Sequence, residues 1–151
     1  ELLAFARRLL QLRREQPVFR RRRFFLGRAI HGEDIKDLYW LKSDGHEMTE
    51  DDWNAGHAHC LCMALPGDQI DETGEQGERI TGDTFALLFN AHDEAVPFNL
   101  GARDRKVAWQ VEFDTADPKA ADRRFAHSAS YPLQGHSLVL LRATLPIPPK
   151  P

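Results

Sequence analysis

The feature that most constrains this chain is the run at residues 83–100, DTFALLFNAHDEAVPFNL. Phe85, Leu87 and Phe89 alternate before a polar break, and Val96, Phe98 and Leu100 alternate after it. A period of two places each trio on one face of a pleated strand, a spacing that no helix reproduces. The break at 90–94 is short and rich in Asn and Asp, so the run is expected to form a hairpin. Two strands with one apolar face are not stable by themselves in water. The rest of the chain must therefore supply a covering layer.

Further strands are legible on both sides of that run. Residues 37–41 (DLYWL) read as a strand from their aromatic content. Cys60 to Leu65 reads as a buried strand in which the cysteines act as small hydrophobes. At 107–113 (VAWQVEF) the expectation is Val107, Trp109, Val111 and Phe113 inward, with Ala108, Gln110 and Glu112 outward. Residues 137–142 (SLVLLR) are continuously apolar, which suits a strand covered on both faces. Pro97 lacks an N–H for a ladder, so its strand is expected at an edge. The stretches 66–82 and 114–135 read as long polar loops. Ser43-Asp44-Gly45 is a turn, and Thr49 caps a short acidic turn, with Asp52 at the capping-box distance of three residues.

The chain opens differently. In residues 1–16, Leu2, Phe5, Leu9 and Leu12 recur at helical spacing, and Leu3 and Leu10 widen the stripe. Pro17 ends the helix, because the residue before a proline is pushed out of helical geometry. A lone helix of this length is marginal, so its stripe must dock on something. The expected architecture is mainly β: an antiparallel β-sandwich preceded by one N-terminal α-helix. The expected divisions are a helix at 1–17, a linker at 18–36, the sandwich at 37–145, and a Pro-rich tail at 146–151. The 151 residues begin at Glu1 without Met and enter an apolar helical pattern at once, which reads as a piece of a longer protein.

Charge argues about partners. The formal net charge of −3 gives no general attraction to polyanions. The distribution is uneven: residues 1–30 hold nine arginines against two glutamates, and residues 31–100 hold three basic against sixteen acidic side chains. Arg20, Arg21, Arg22 and Arg23 stand before Phe24 and Phe25, a combination that could contact phosphates and stack on bases. The simpler reading is a linker whose guanidinium groups pair with carboxylates. No nucleic-acid partner is expected. No run approaches the roughly 18 apolar residues of a membrane span, and no signal-peptide pattern appears. Cys60 and Cys62, the two cysteines, are no disulfide framework, so a reducing cytoplasm is expected.

The motifs that carry chemistry are sparse. His57, His59, Cys60 and Cys62 invite a metal-site reading, but in an extended chain the histidines and cysteines point to opposite faces and cannot close one tetrahedron. No metal and no cofactor are expected. No G-x-S-x-G elbow, H-E-x-x-H helix or Walker loop occurs. The acidic loop at 66–82 lacks the ordered carboxylates of a calcium loop. Nothing marks two carboxylates as an acid–base pair, so no catalytic residue is assigned. Trp40, Trp53 and Trp109 are candidate sugar-stacking platforms, which would make the chain a carbohydrate-binding module; burial in a small core is the plainer reading.

Several stretches together resemble the C-terminal part of bacterial glycogen debranching enzymes of the isoamylase type, in the α-amylase superfamily of glycoside hydrolases. They are LLAFARRLLQLRREQPVFRRRRFF at 2–25, DLYWLKSDGHEMTEDDW at 37–53, DTFALLFNAHDE at 83–94, FDTADP at 113–118 and YPLQGHSLVLLR at 131–142. The segment at 55–64 departs from the family's usual, less His- and Cys-rich form. The resemblance implies a parent enzyme that hydrolyses α-1,6 branch linkages in glycogen or limit dextrin. It also implies that catalysis occurs on a (β/α)8 barrel preceding this chain, with no catalytic motif carried here. The opening helix would then be the last barrel helix, the arginine run the crossing, and the remainder a non-catalytic sandwich bracing the barrel.

Overall fold

The computed structural model describes residues 2–28, 35–56, 59–101, 107–126 and 129–144. The Pro-rich tail at 146–151, His57 and part of the 18–36 linker lie outside those residues. The chain forms two compact units. One comprises Glu1–Leu38 with Leu65–Thr84, the other Tyr39–Ala64 with Phe85–Pro151.

The first unit opens with α1 (Leu2–Glu15), followed by a single 3-10 turn at Pro17–Phe19. Pro17 sits at the first position of that turn, where its missing N–H costs nothing. Arg13 and Arg14 fall in the last turn of α1, where positive charge suits the exposed carbonyls. The Gln16 amide then clamps Asp83, donating to the carboxylate at 2.8 Å and accepting the Asp83 N–H at 3.2 Å. Leu12, Val18, Leu65 and Ile70 are buried. Gly67 has to be glycine, because a Cβ there would lie 2.2 Å from the carbonyl oxygens of Gly82 and Asp83.

The second unit is the β-sandwich. Six strands form an antiparallel sheet in the order β1, β2, β3, β8, β5, β6, and β4 pairs with β7 in a second sheet. The strands are β1 (Tyr39–Leu41), β2 (Cys60–Leu65), β3 (Phe85–Asn90), β4 (Val96–Asn99), β5 (Ala108–Asp114), β6 (Arg124–Phe125), β7 (Ser130–Leu133) and β8 (Ser137–Thr144). One helix, α2 (Glu50–Asn54), separates β1 from β2. The continuously apolar β8 lies centrally between β3 and β5, as its pattern requires. Pro97 faces Pro132 across the two-stranded sheet, where both strands are edges.

Register identifies the core. Ala86, Leu141 and Val111 lie abreast, as do Leu88, Val139 and Asp114. Asn90 continues that face and donates to the carbonyls of Leu133 (3.2 Å) and Gln134 (3.0 Å) beside β7. Asp114 on the same face accepts the Tyr131 hydroxyl at 2.7 Å. Phe98, Tyr131 and Leu133 of the small sheet are buried, and so are Ala86, Leu88, Val111, Val139 and Leu141 of the large one. Each fully buried Leu or Phe contributes on the order of 1.5–3 kcal/mol.

Three expectations need correction. The run at 83–100 is not a hairpin: β3 pairs with β8 and β4 with β7, so the polar break crosses from one sheet to the other. The Asn90 amide fastens this crossing, also donating to Glu94 O at 2.9 Å and so tying both of its ends to the β7 side. The sandwich face of β3 is therefore Ala86, Leu88 and Asn90 rather than Phe85, Leu87 and Phe89, although Phe85 is fully buried too.

The strict alternation at 107–113 also fails. A bulge between Val111 and Phe113 inserts Glu112, so Phe113 lies opposite Leu140 while Val111 lies opposite Leu141. That single extra residue turns Phe113 to the other face and brings Asp114 in line with Tyr131. Glu112 is itself held at 2.6 Å from the Arg142 Nε, with its side chain 4% exposed. Finally, the supposed loop at 114–135 contains β6 and β7; the short SYPL run buries only Tyr131 and Leu133, too few residues to stand out.

Candidate functional site

The four arginines at 20–23 look equivalent in sequence, and the structure sets three of them to different tasks within the first unit. Arg21 is buried, its side chain 3% exposed, with Nη2 at 3.0 Å from Asp37 Oδ2. Its guanidinium carbon lies 4.2 Å from the centroid of the Phe25 ring, a cation–π contact. Asp37, fully buried, also accepts the N–H groups of Leu26 (3.0 Å) and Gly27 (2.9 Å). Gly27 adopts φ +62°, the left-handed region glycine enters at least cost. Asp37 thus holds Arg21, Leu26 and Gly27 together.

Arg22 and Arg23 reach the acidic loop. The Arg22 backbone N–H and Nε donate to Glu72 at 2.6 and 3.1 Å, the Arg23 N–H to Glu72 at 3.2 Å, and Arg23 Nη1 to Asp71 at 3.1 Å. Burial of Glu72 works toward protonation, yet the Arg22 and Arg23 N–H groups and the Arg22 guanidinium hold its carboxyl below the usual range. A shallow pocket of about 250 Å³ opens beside this contact, with Arg23, Asp71, Glu72, Thr73 and Arg79 among its lining. Both carboxylates there are bound to arginines, which makes them ion-pair partners rather than a proton-exchanging couple. Three of the four arginines are thus committed to carboxylates, the linker reading of the run.

In the second unit the structure brings Trp40 and Trp53 together. The turn after β1 is closed by Lys42 N–H to His46 O (2.8 Å) and Met48 N–H to Trp40 O (2.8 Å), with Gly45 at φ +84°. Thr49 then caps α2: its hydroxyl accepts the Asp52 N–H at 3.2 Å and its own N–H donates to Asp52 at 2.9 Å. This is the capping box expected from the sequence. It carries Trp53 to 5.7 Å from Trp40, edge to face at 82°. Trp53 is 50% exposed and Trp40 half-buried, so the expectation of a core tryptophan does not hold for Trp53. Trp109 is half-buried and donates its Nε1–H to Leu100 O at 3.1 Å, away from the other two in the register.

The cysteine and histidine candidates separate. Cys62 is buried and Cys60 half-buried; desolvation pushes the Cys60 thiol up to about 11 and raises that of Cys62 as well. Neither is a ready thiolate ligand. His59 is exposed, its ring 6.2 Å from His92. Among the described residues no group of three His, Cys, Asp or Glu side chains is arranged for a metal ion. No helix among them is long and apolar enough to cross a membrane.

The sequence reading missed the Arg21–Phe25–Asp37 cluster, because Asp37 reads as the first residue of a strand. The signal was an acid directly preceding an aromatic strand, shortly after a basic-aromatic run. The Trp40–Trp53 pairing was also open to inference, since a tight turn and a capped helix stand between the two.

Antiparallel sheets of six and two strands, preceded in the chain by a helix, define the class: a mainly β domain of the sandwich type. The family follows from comparison. A family model described as Isoamylase, C-terminal, matches residues 37–142, and the chain belongs to that family. It is 40% identical over 147 residues to a glycogen operon protein GlgX homolog of Mycobacterium bovis, and equally to one of Mycobacterium tuberculosis, covering 96% of this chain and 20% of each relative. It is 23% identical over 149 residues to an isoamylase of Flavobacterium sp, covering 92% of this chain and 18% of that protein. The chain therefore spans about a fifth of the length of these curated relatives.

Proposed function

We propose that this chain is the non-catalytic C-terminal β-sandwich of a cytoplasmic glycoside hydrolase that cleaves α-1,6 branch linkages in glycogen or limit dextrin. In this reading it braces the (β/α)8 catalytic barrel of the same polypeptide. Residues 1–17 are the last barrel helix, 18–36 the crossing, and 37–145 the sandwich. Family membership and the names of the relatives support the enzyme class, and their much greater length leaves room for a barrel.

The observation that carries the bracing role is the surface of α1. Leu12 on one flank is 3% exposed, whereas Leu2, Leu3 and Leu10 are 80%, 63% and 64% exposed. Leu3 and Leu10, seven residues apart, share a flank distinct from that of Leu12. A helix apolar on two flanks and covered on one is built to join two bodies. Phe24 and Leu26 are exposed in the same unit. Exposed apolar side chains in this number support a contact surface on the unit.

The test has two parts. Purified chain incubated with limit dextrin is expected to release no reducing ends, and real turnover refutes the non-catalytic role. Co-expressed with the barrel segment of its parent polypeptide, the chain is expected to co-purify with it. The double variant L3S/L10S is expected to lose that association, and unchanged co-purification refutes bracing through α1.

A further inference from the structure

We propose that Trp53, held by Trp40, is a stacking platform for an α-glucan chain. The choice of glucan rests on the glycogen-acting reading above, but not on the contact made by α1.

Trp53 is the large apolar side chain that the second unit leaves exposed among the described residues; the other exposed ones, from Leu2 to Leu26, belong to the first unit. Half an indole in water is unfavourable, and this one is not a loose surface residue. The capping box fixes α2, the Gly45 turn fixes its approach, and the Trp40 and Trp53 rings pack at 5.7 Å in a T-shaped pair. A platform ordered before the ligand arrives loses little conformational freedom on binding.

The surroundings select the ligand. Glu50 and Asn54, on the same short helix as Trp53 and within one turn of it, are exposed, and the Asn54 amide donates to Glu50 O at 2.9 Å. Asp51 is exposed, and Asp52 is ion-paired with Lys42 at 3.3 Å. This rim is acidic, which disfavours phosphate-bearing ligands. It offers oxygen acceptors and an amide to hydroxyl groups. A glucose ring has an apolar C–H face for the indole and a girdle of hydroxyls for such a rim. One indole is far below the roughly 1,000 Å² that a specific protein interface buries, so a neutral sugar fits better than a protein partner.

Affinity electrophoresis of the 151-residue chain in glycogen-containing gels tests the idea, together with tryptophan fluorescence titrated with maltoheptaose. Retardation by glycogen and a saturable fluorescence change are expected. W53A is expected to bind about tenfold more weakly, the cost of removing an aromatic anchor, with circular dichroism matching the unmodified chain. W53F, which keeps a smaller ring, is expected to fall between. Absence of retardation overturns the proposal, as does W53A retarded like the unmodified chain. L3S/L10S is expected to bind glycogen normally, so failure here and failure of the α1 contact are read from different variants.

Discussion

Replacing Asp37 with alanine is expected to be the most damaging single polar substitution in the first unit. Asp37 is fully buried, is ion-paired with the Arg21 guanidinium at 3.0 Å and accepts from two backbone N–H groups. Leu26 and Gly27 are exposed, so their N–H groups can return to water and their loss is modest, about 1 kcal/mol each at most. Arg21 has no such recourse, because its side chain is 3% exposed. Removing one partner of a buried pair strands the other charge, at about 3–5 kcal/mol. The Arg21 term dominates, and a total near 4 kcal/mol follows. With a urea slope of about 2 kcal/mol/M, the midpoint falls by about 2 M.

The sequence supplies a convenient pair of probes. All three tryptophans lie in the second unit, whereas the long helix α1 lies in the first. Helical circular dichroism therefore reports on the unit that contains Asp37, and tryptophan fluorescence on the other. The dichroism midpoint of D37A is expected to move by about 2 M, and a shift below about 0.5 M refutes the reasoning. A cycle with R21M separates the contributions. Arg21→Met leaves Asp37 with its two N–H donors and should cost less than D37A. Combined as R21M/D37A, the changes should cost less than their sum, since an apolar pair strands no charge. By contrast, Arg22 is largely exposed beside Glu72, and R22A is expected to cost less than about 1 kcal/mol.

Two further outcomes follow from the sandwich. Tyr131→Phe deletes the hydroxyl that donates to buried Asp114 and is expected to lower stability by about 1–3 kcal/mol, read from urea unfolding by fluorescence; an unchanged midpoint removes the idea that this bond locks the small sheet onto the large one. For α2, the Thr49 N–H, then the Thr49 hydroxyl and Lys42, hold the Asp52 carboxyl below its ordinary 3.8. A depressed carboxylate contributes above its unfolded value and loses that contribution as the pH falls through the folded one, so α2 is expected to loosen only below about pH 4. Trp53 fluorescence followed on acidification should show this step and D52N should lack it; superimposable profiles count against the capping box as the cause.

What the sequence made legible, and what it hid, divides along a physical line. Features set by neighbours in the chain were readable. The limits of β2, the Thr49–Asp52 box and the apolar β8 all depend on residues a few positions apart. Features set by a distant partner were not. Periodicity of two says that 85–90 and 96–99 are strands, but it cannot say which strands they join. The crossing between the sheets is held by the Asn90 amide bonding three carbonyls, two of them more than 40 residues away. The bulge at Glu112 is likewise invisible to pattern, because its effect is to break the pattern, and its benefit appears only where Asp114 meets Tyr131.

The same division explains why the candidate sites were only half visible. Four adjacent arginines are indistinguishable as a string, yet Arg21 is buried against Asp37 while Arg22 and Arg23 reach the acidic loop some 50 residues on. The uneven charge seen in the sequence, basic at the start and acidic in the middle, is in part this contact spread along the chain. The three tryptophans also read alike, and only their placement separates Trp109, whose N–H is bonded, from Trp53, whose ring is half in water. What each unit leaves uncovered is the informative residue of the fold: apolar leucines on a helix in one, a braced indole with an acidic rim in the other. A helix flank of leucines asks for another protein surface, and a single ordered indole among hydroxyl-binding groups asks for a sugar.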